Sequence, residues 1–138
     1  MQTNLQVPKS ILTALNQLYE LERKLKKQDD TANLSRNIGK IKDAFAEEGP
    51  LGLDAAGGQR RIGLAYEDPL GQPCNETRTD LEATISGSGT DDLIVVEVIK
   101  PIIRAIFRDS AGEYSFVVQK GVVIVESRKE LQHHERND

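Results

Sequence analysis

Leu93-Ile94-Val95-Val96-Glu97-Val98-Ile99 is the stretch whose reading decides the fold. Its β-branched residues suit a pleated, half-buried surface, and only Glu97 interrupts the apolar run, so it predicts a strand. Pro101 has no N–H to give a ladder, which places it at a bulge, bend or edge before a second strand at Ile102–Phe107. Asp109-Ser110-Ala111-Gly112 carries a hairpin-turn signal, and Tyr114–Gln119 and Val122–Val125 read as returning strands around Gly121. Upstream, Leu81–Ile85 is a short strand closed by Ser86-Gly87-Ser88-Gly89, and Asp68-Pro69-Leu70-Gly71-Gln72-Pro73 favours tight turns.

Further toward the N-terminus the period changes. Ile11, Leu15, Leu18 and Leu25 recur at helical spacing, widened by Leu12, Tyr19 and Leu21, with Ser10 as the expected N-cap. A second stripe, Leu34, Ile38, Ile41 and Phe45, is out of phase with the first, and Asp29-Asp30-Thr31 lies between them. Two arrangements fit: a helical hairpin, or one long helix whose buried face drifts. Gly49-Pro50 ends the pattern in both. Short isolated helices are marginal in water, so another surface must cover these stripes, and a homodimer is the expectation.

The expected organisation is α+β. An N-terminal helical dimerisation segment, coiled coil or helical hairpin, occupies 1–49, and 50–67 is a linker or ordered loop. A small C-terminal antiparallel β domain occupies 68–127, and 128–138 is a charged tail. A chain of 138 residues has room for one ordinary domain or a small unit with a helical arm, which excludes multi-lobed enzymes. The net charge of −4, with its acid excess after residue 48, argues against non-specific nucleic-acid binding. A single cysteine builds neither an internal disulfide nor a thiolate metal cluster. The N-terminus has no apolar core behind a basic stretch, and no run approaches the length of a membrane span, so a cytoplasmic location is expected.

Candidate chemistry is sparse. Gly-rich stretches lack the strand-turn-helix context and the Lys-Ser/Thr of a phosphate loop. His133 and His134 are adjacent on the charged tail, without the spacing of a metal-binding face. Cys74 has no base beside it in sequence. Asp91-Asp92 read as a solvated loop, and Asn75-Glu76-Thr77 is a glycosylation sequon that a cytoplasmic chain would never use. No catalytic residue, metal site or cofactor is therefore assigned. A helical arm and a β unit with an irregular edge describe a binding protein better than an enzyme.

The order of parts resembles the GrpE nucleotide exchange factors that serve DnaK-type chaperones. The resemblance is carried by Phe45 to Gly49, Gly63, Asp68-Pro69-Leu70-Gly71-Gln72-Pro73, Leu81-Glu82-Ala83-Thr84-Ile85, Val95-Val96-Glu97-Val98 and Val122-Val123-Ile124-Val125-Glu126-Ser127. It covers about residues 34 to 129, and the Asp-Pro-Leu-Gly-Gln-Pro run with Glu-Ala following is its most specific part. Lys100 to Arg104, Gln119-Lys120-Gly121 and a shortened stalk depart from the family pattern. The resemblance implies a non-enzymatic homodimer whose β domain binds the nucleotide-binding domain of a DnaK-type ATPase and promotes ADP release. The alternative is a regulatory or structural dimer whose β domain binds another protein or a peptide. Ile11, Leu15, Leu18, Leu25, Leu34, Ile38, Ile41 and Phe45 are the expected dimerisation residues. The family's contact residues do not carry over, so the partner-binding candidates come from the β surface beside the edge proline: Val98, Lys100, Pro101, Ile102, Arg104, Gln119 and Lys120.

Overall fold

The computed structural model of the chain describes residues 7–28, 32–48, 61–109, 111–129 and 131. Its elements are α1 (Lys9–Leu25), α2 (Ala32–Asp43), a π-helical turn (Ala44–Glu48), β1 (Arg61–Glu67), β2 (Leu81–Ile85), β3 (Leu93–Lys100), β4 (Ile102–Asp109), β5 (Gly112–Gln119) and β6 (Gly121–Ser127). This is an α+β fold with helices before strands. The strands form two three-stranded sheets, ordered β1-β4-β5 and β2-β6-β3. Two compact units divide the chain, one from residues 1–66 and 104–118, the other from 67–103 and 119–138. The expected Gly49-Pro50 cap, the linker through residue 60 and the two tail histidines lie outside the described residues.

In the first unit, α1 starts one residue before the expected cap, Ser10. Pro8 holds the N-cap position with φ −54°. Its carbonyl accepts the Ile11 N–H at 3.0 Å and the Leu12 N–H at 3.3 Å. The proline ring presets φ, so the first carbonyl is aimed without a side-chain cap. Leu15, Leu18 and Tyr19 are buried on α1, Ile38 on α2, and Ile62, Leu64, Ala105 and Phe107 on strands of the same unit. The two helices fold back on each other: Lys42 Nζ lies 3.1 Å from Glu22 Oε2. In one continuous helix those residues would stand about 30 Å apart. The hairpin is therefore the arrangement adopted.

Strand β1 falls inside the stretch read as linker or loop. Gly63 lies within that strand. It stands where backbone approaches backbone: a Cβ there would lie 1.9 Å from the Ala46 carbonyl oxygen.

In the second unit β6 is central. Its partnership with β3 is antiparallel, but β2 runs parallel to it, from Leu81 opposite Gly121 to Ile85 opposite Val125. The expected all-antiparallel β domain is thus corrected to a mixed sheet. Parallel neighbours need a long crossover, and the chain between residues 86 and 120 provides one. Register shifts between Val95 and Glu97 and between Val98 and Lys100 interrupt the β3 ladder. The extra residues let Val95 and Val98, three apart, both point into the core, where strict alternation would expose one.

Pro101 is the single residue between β3 and β4, and Lys120 the single residue between β5 and β6. At each the chain passes from one sheet to the other. Gln119 Nε2 donates to the Pro101 carbonyl at 3.0 Å and ties the two crossings together. Among the described residues no helix is long and apolar enough to cross a membrane.

Two glycines separate packing from propensity. An added Cβ at Gly39 in α2 meets nothing within 4 Å, so Gly39→Ala should stabilise the protein by about 0.5–1 kcal/mol. Gly63→Ala should destabilise it by about 1–3 kcal/mol, because the Ala46 backbone must move. Urea unfolding checks both, and equal midpoints for the two variants would contradict the close approach.

Candidate functional site

The most specific motif of the sequence, Asp68 to Pro73, is built as a clip on the free side of β3. Asp68 Oδ1 accepts the Leu70 N–H at 3.1 Å, and the Pro69 carbonyl accepts the Gln72 N–H at 3.0 Å. Gly71 turns the chain with φ 82°, a value that suits a residue without Cβ. Three backbone bonds, each 2.9 Å, then run along β3: Gly71 N–H to Val95 O, Val95 N–H to Gln72 O, and Cys74 N–H to Leu93 O. Arg78 braces the clip, donating to both carboxylate oxygens of Asp80 at 2.9 and 3.0 Å and to Gln72 Oε1 at 2.9 Å. The bonds to Asp80 are the main reason its guanidinium is held charged more firmly than usual.

Between this clip and the loop before β3 lies a cleft of about 590 Å³. Ala83, Ile85, Leu93 and Val125 line it from the sheet, and Cys74 and Glu76 from the clip. Ile85 and Val125 are register partners in a parallel pair, so their side chains share one face of the sheet. Asp91 and Asp92 stand at the opposite rim. Asp92 holds φ 51°, its carbonyl accepts the Arg128 N–H at 3.1 Å, and its carboxylate lies 3.7 Å from the Arg128 guanidinium. The cleft combines an apolar floor with three carboxylates and one half-buried thiol, Cys74.

The partner-binding candidates are placed differently from expectation. Val98, Pro101 and Ile102 are buried, so their side chains build the core instead of a docking face. The proline is not at an open edge but at the crossing between sheets, where the chain turns inward. Gln119 spends its amide on Pro101. Lys100 and Lys120 are exposed, and Arg104 is half-buried. Of the expected dimerisation residues, Leu15, Leu18 and Ile38 are buried within the first unit. Ile11, Leu25 and Phe45 are half-buried, and Leu34 and Ile41 remain 52% and 46% exposed. Among the described residues no three His, Cys, Asp or Glu side chains gather as metal ligands.

The first unit holds a polar clasp that the sequence did not announce. Glu22 of α1 accepts from Lys42 Nζ of α2 at 3.1 Å and from the Tyr66 hydroxyl of β1 at 3.1 Å. Lys42 Nζ also sits 4.9 Å from the Tyr66 ring centre, and Tyr19 meets that ring edge-on at 5.7 Å. Burial first, then the Glu22 charge and hydrogen bond, push the Tyr66 hydroxyl far above the ordinary phenol range. It therefore stays a donor wherever the fold persists. Spacing could not have shown it, because residues 22, 42 and 66 meet only through the hairpin and sheet.

Comparison with protein-family models, curated proteins and solved structures finds no match for this chain. The site is therefore read from its own geometry.

Titrating tyrosine absorbance tests the clasp. Glu22→Gln should lower the Tyr66 pKa, because a neighbouring negative charge is gone, yet leave it above the ordinary value because burial remains. The raised pKa also carries a sign for stability. The folded state keeps the Tyr66 proton above pH of about 10, where the unfolded chain loses it, so this contribution is full below that pH and declines above it. A Tyr66 titration unchanged by Glu22→Gln would contradict the assignment.

Proposed function

We propose that the chain is a non-enzymatic GrpE-like nucleotide exchange factor or adaptor, whose second unit docks on the nucleotide-binding domain of a DnaK-type chaperone ATPase in the cytoplasm. One observation carries this reading. Asp68–Pro73, Leu81–Ile85, Val95–Val98 and Val122–Ser127, four of the segments that carry the resemblance and among them its most specific part, lie together in one unit: three in the β2-β6-β3 sheet, and the fourth bonded along β3. Scattered similarities would have no reason to assemble side by side. The work of such a module is physical. A surface that binds the open form of the ATPase domain more tightly than the closed form raises the open population and so speeds ADP loss, and only that difference in affinity does the work.

The same proposal includes a homodimer. Leu34 and Ile41, seven residues apart on α2, share one helical face and stay exposed. We assign that face to a second copy of the chain. Of the other stripe members, Leu21 on α1 is also exposed, and the rest are covered in part or in full by their own unit. The alternative, a regulatory dimer that binds another protein or peptide, draws on the cleft described above.

Release of fluorescent ADP from a DnaK-type ATPase checks the main reading. Acceleration that saturates with this protein supports it, and no binding with unchanged release contradicts it. For the dimer, sedimentation should give twice the chain mass. Leu34→Lys with Ile41→Lys should give a folded monomer with an unchanged circular dichroism spectrum; a dimer that survives both changes contradicts the assignment.

A further inference from the structure

The two outer strands of the β2-β6-β3 sheet are finished differently. The clip covers the free side of β3, whereas among the described residues no strand or turn pairs with the free side of β2. Two bonds show which groups face that side. Gly121 N–H donates to Asp80 O at 2.9 Å, and Ser86 N–H donates to Val125 O at 2.8 Å. In a parallel ladder a residue's N–H and C=O point the same way, and successive residues alternate. Asp80, Glu82, Thr84 and Ser86 therefore face β6, and the backbone groups of Leu81, Ala83 and Ile85 face outward.

Natural edges are blunted by Pro, Lys, a bulge or a covering loop. Strand β2 is Leu81-Glu82-Ala83-Thr84-Ile85, its register runs without a shift, and Ile85 at its end stays 44% exposed. The cleft adjoins this edge, because Ala83 and Ile85 also line it. Glu76, Asp91 and Asp92 make its rim acidic, and among the described residues Arg128, near Asp92, is the one cation that offsets them at the distance of an ion pair.

We propose that the outer edge of β2 and the acidic cleft beside it bind an extended peptide in which apolar residues alternate with Lys or Arg. The peptide adds a fourth strand to the sheet. Its backbone pairs with Ala83 and Ile85, apolar side chains cover Ile85 and the cleft floor, and basic side chains meet Glu76 and Asp91. This goes beyond the chaperone reading and stands without it, since it uses a sheet edge and a charge pattern only.

The probe is a fluorescein-labelled peptide, acetyl-Lys-Val-Lys-Val-Lys-Val-amide, titrated into the full chain by anisotropy. A second readout is the rate at which iodoacetamide alkylates Cys74, the single cysteine, which lines the cleft. The proposal expects saturable binding that slows alkylation and weakens as salt screens the rim. Methylating every peptide nitrogen should weaken binding at least about tenfold, since strand pairing is lost. Glu76→Lys with Asp91→Lys, both exposed positions, should weaken it about tenfold without altering the fold. Ala83→Pro, which removes an outward N–H and leaves the β6 ladder intact, should do the same. Equal binding by the methylated peptide, by a Glu-Val counterpart, or by the charge-reversed protein would overturn the proposal. So would a basic helical peptide that protects Cys74 as well as the extended one does, or protection of Cys74 by self-association of the chain alone.

Discussion

Strand β6 is the constraint on which the second unit depends. Gly121, Val123, Val125 and Ser127 are buried in strict alternation, so one face of β6 must be covered. Both of its edges are paired, one parallel and one antiparallel. A central strand in this position satisfies its own backbone and passes the problem of unpaired groups to its neighbours. The start of β6 shows how tight this is: a Cβ at Gly121 would lie 2.8 Å from Leu81 Cδ2 and 3.0 Å from Ile102 Cγ1. Glycine is required there by space, at the point where the chain has just left β5.

The edges of that sheet then take separate roles. On the β3 side, Gly71, Gln72 and Cys74 supply the missing partners, and Arg78 with Asp80 holds the turn that carries them. Polar groups are spent on structure there. On the β2 side no strand or turn among the described residues pairs with the outward groups of Ala83 and Ile85, which lie next to an apolar floor and acidic rim. Among the described residues a single three-stranded sheet thus has one closed edge and one that no strand or turn pairs. In the first unit the balance is different. Aromatics are few, so Tyr66 serves both in packing against Tyr19 and, through its bond to Glu22, in a polar clasp linking both helices to β1. Phe107 likewise stacks on Tyr114 and meets Phe116 edge-on.

How much of this could be read from the chain varied with the range of the interaction involved. Strands β2 to β6 lie where β-branched runs and turn residues put them, because those signals are local. The helices follow from apolar spacing for the same reason. Strand β1 did not, since Gly63 has its purpose in a contact with Ala46, a residue on another element. Three of the seven partner-binding candidates, Val98, Pro101 and Ile102, are buried, because a local rule reaches only so far. A proline beside a strand often marks an edge, but Pro101 is a buried turn between sheets. At the clip, the Arg78–Asp80 pair was legible in principle, because opposite charges two residues apart lie within reach of each other. The gathering of Cys74, Ile85, Asp91 and Val125 around one space was not.

Residue order alone determined the kinds of element and their sequence along the chain, helices first and strands after, because periodicity and turn chemistry act over a few neighbours. Tertiary structure decided what those elements are for. It chose the hairpin over the rod, ran β2 parallel to β6, buried Leu15 and Ile38 while leaving Leu34 and Ile41 outside, and put β2 and β3 on either side of β6. Each of these depends on which distant segments share a surface, and burial and pairing between distant segments leave no mark in the spacing of either one.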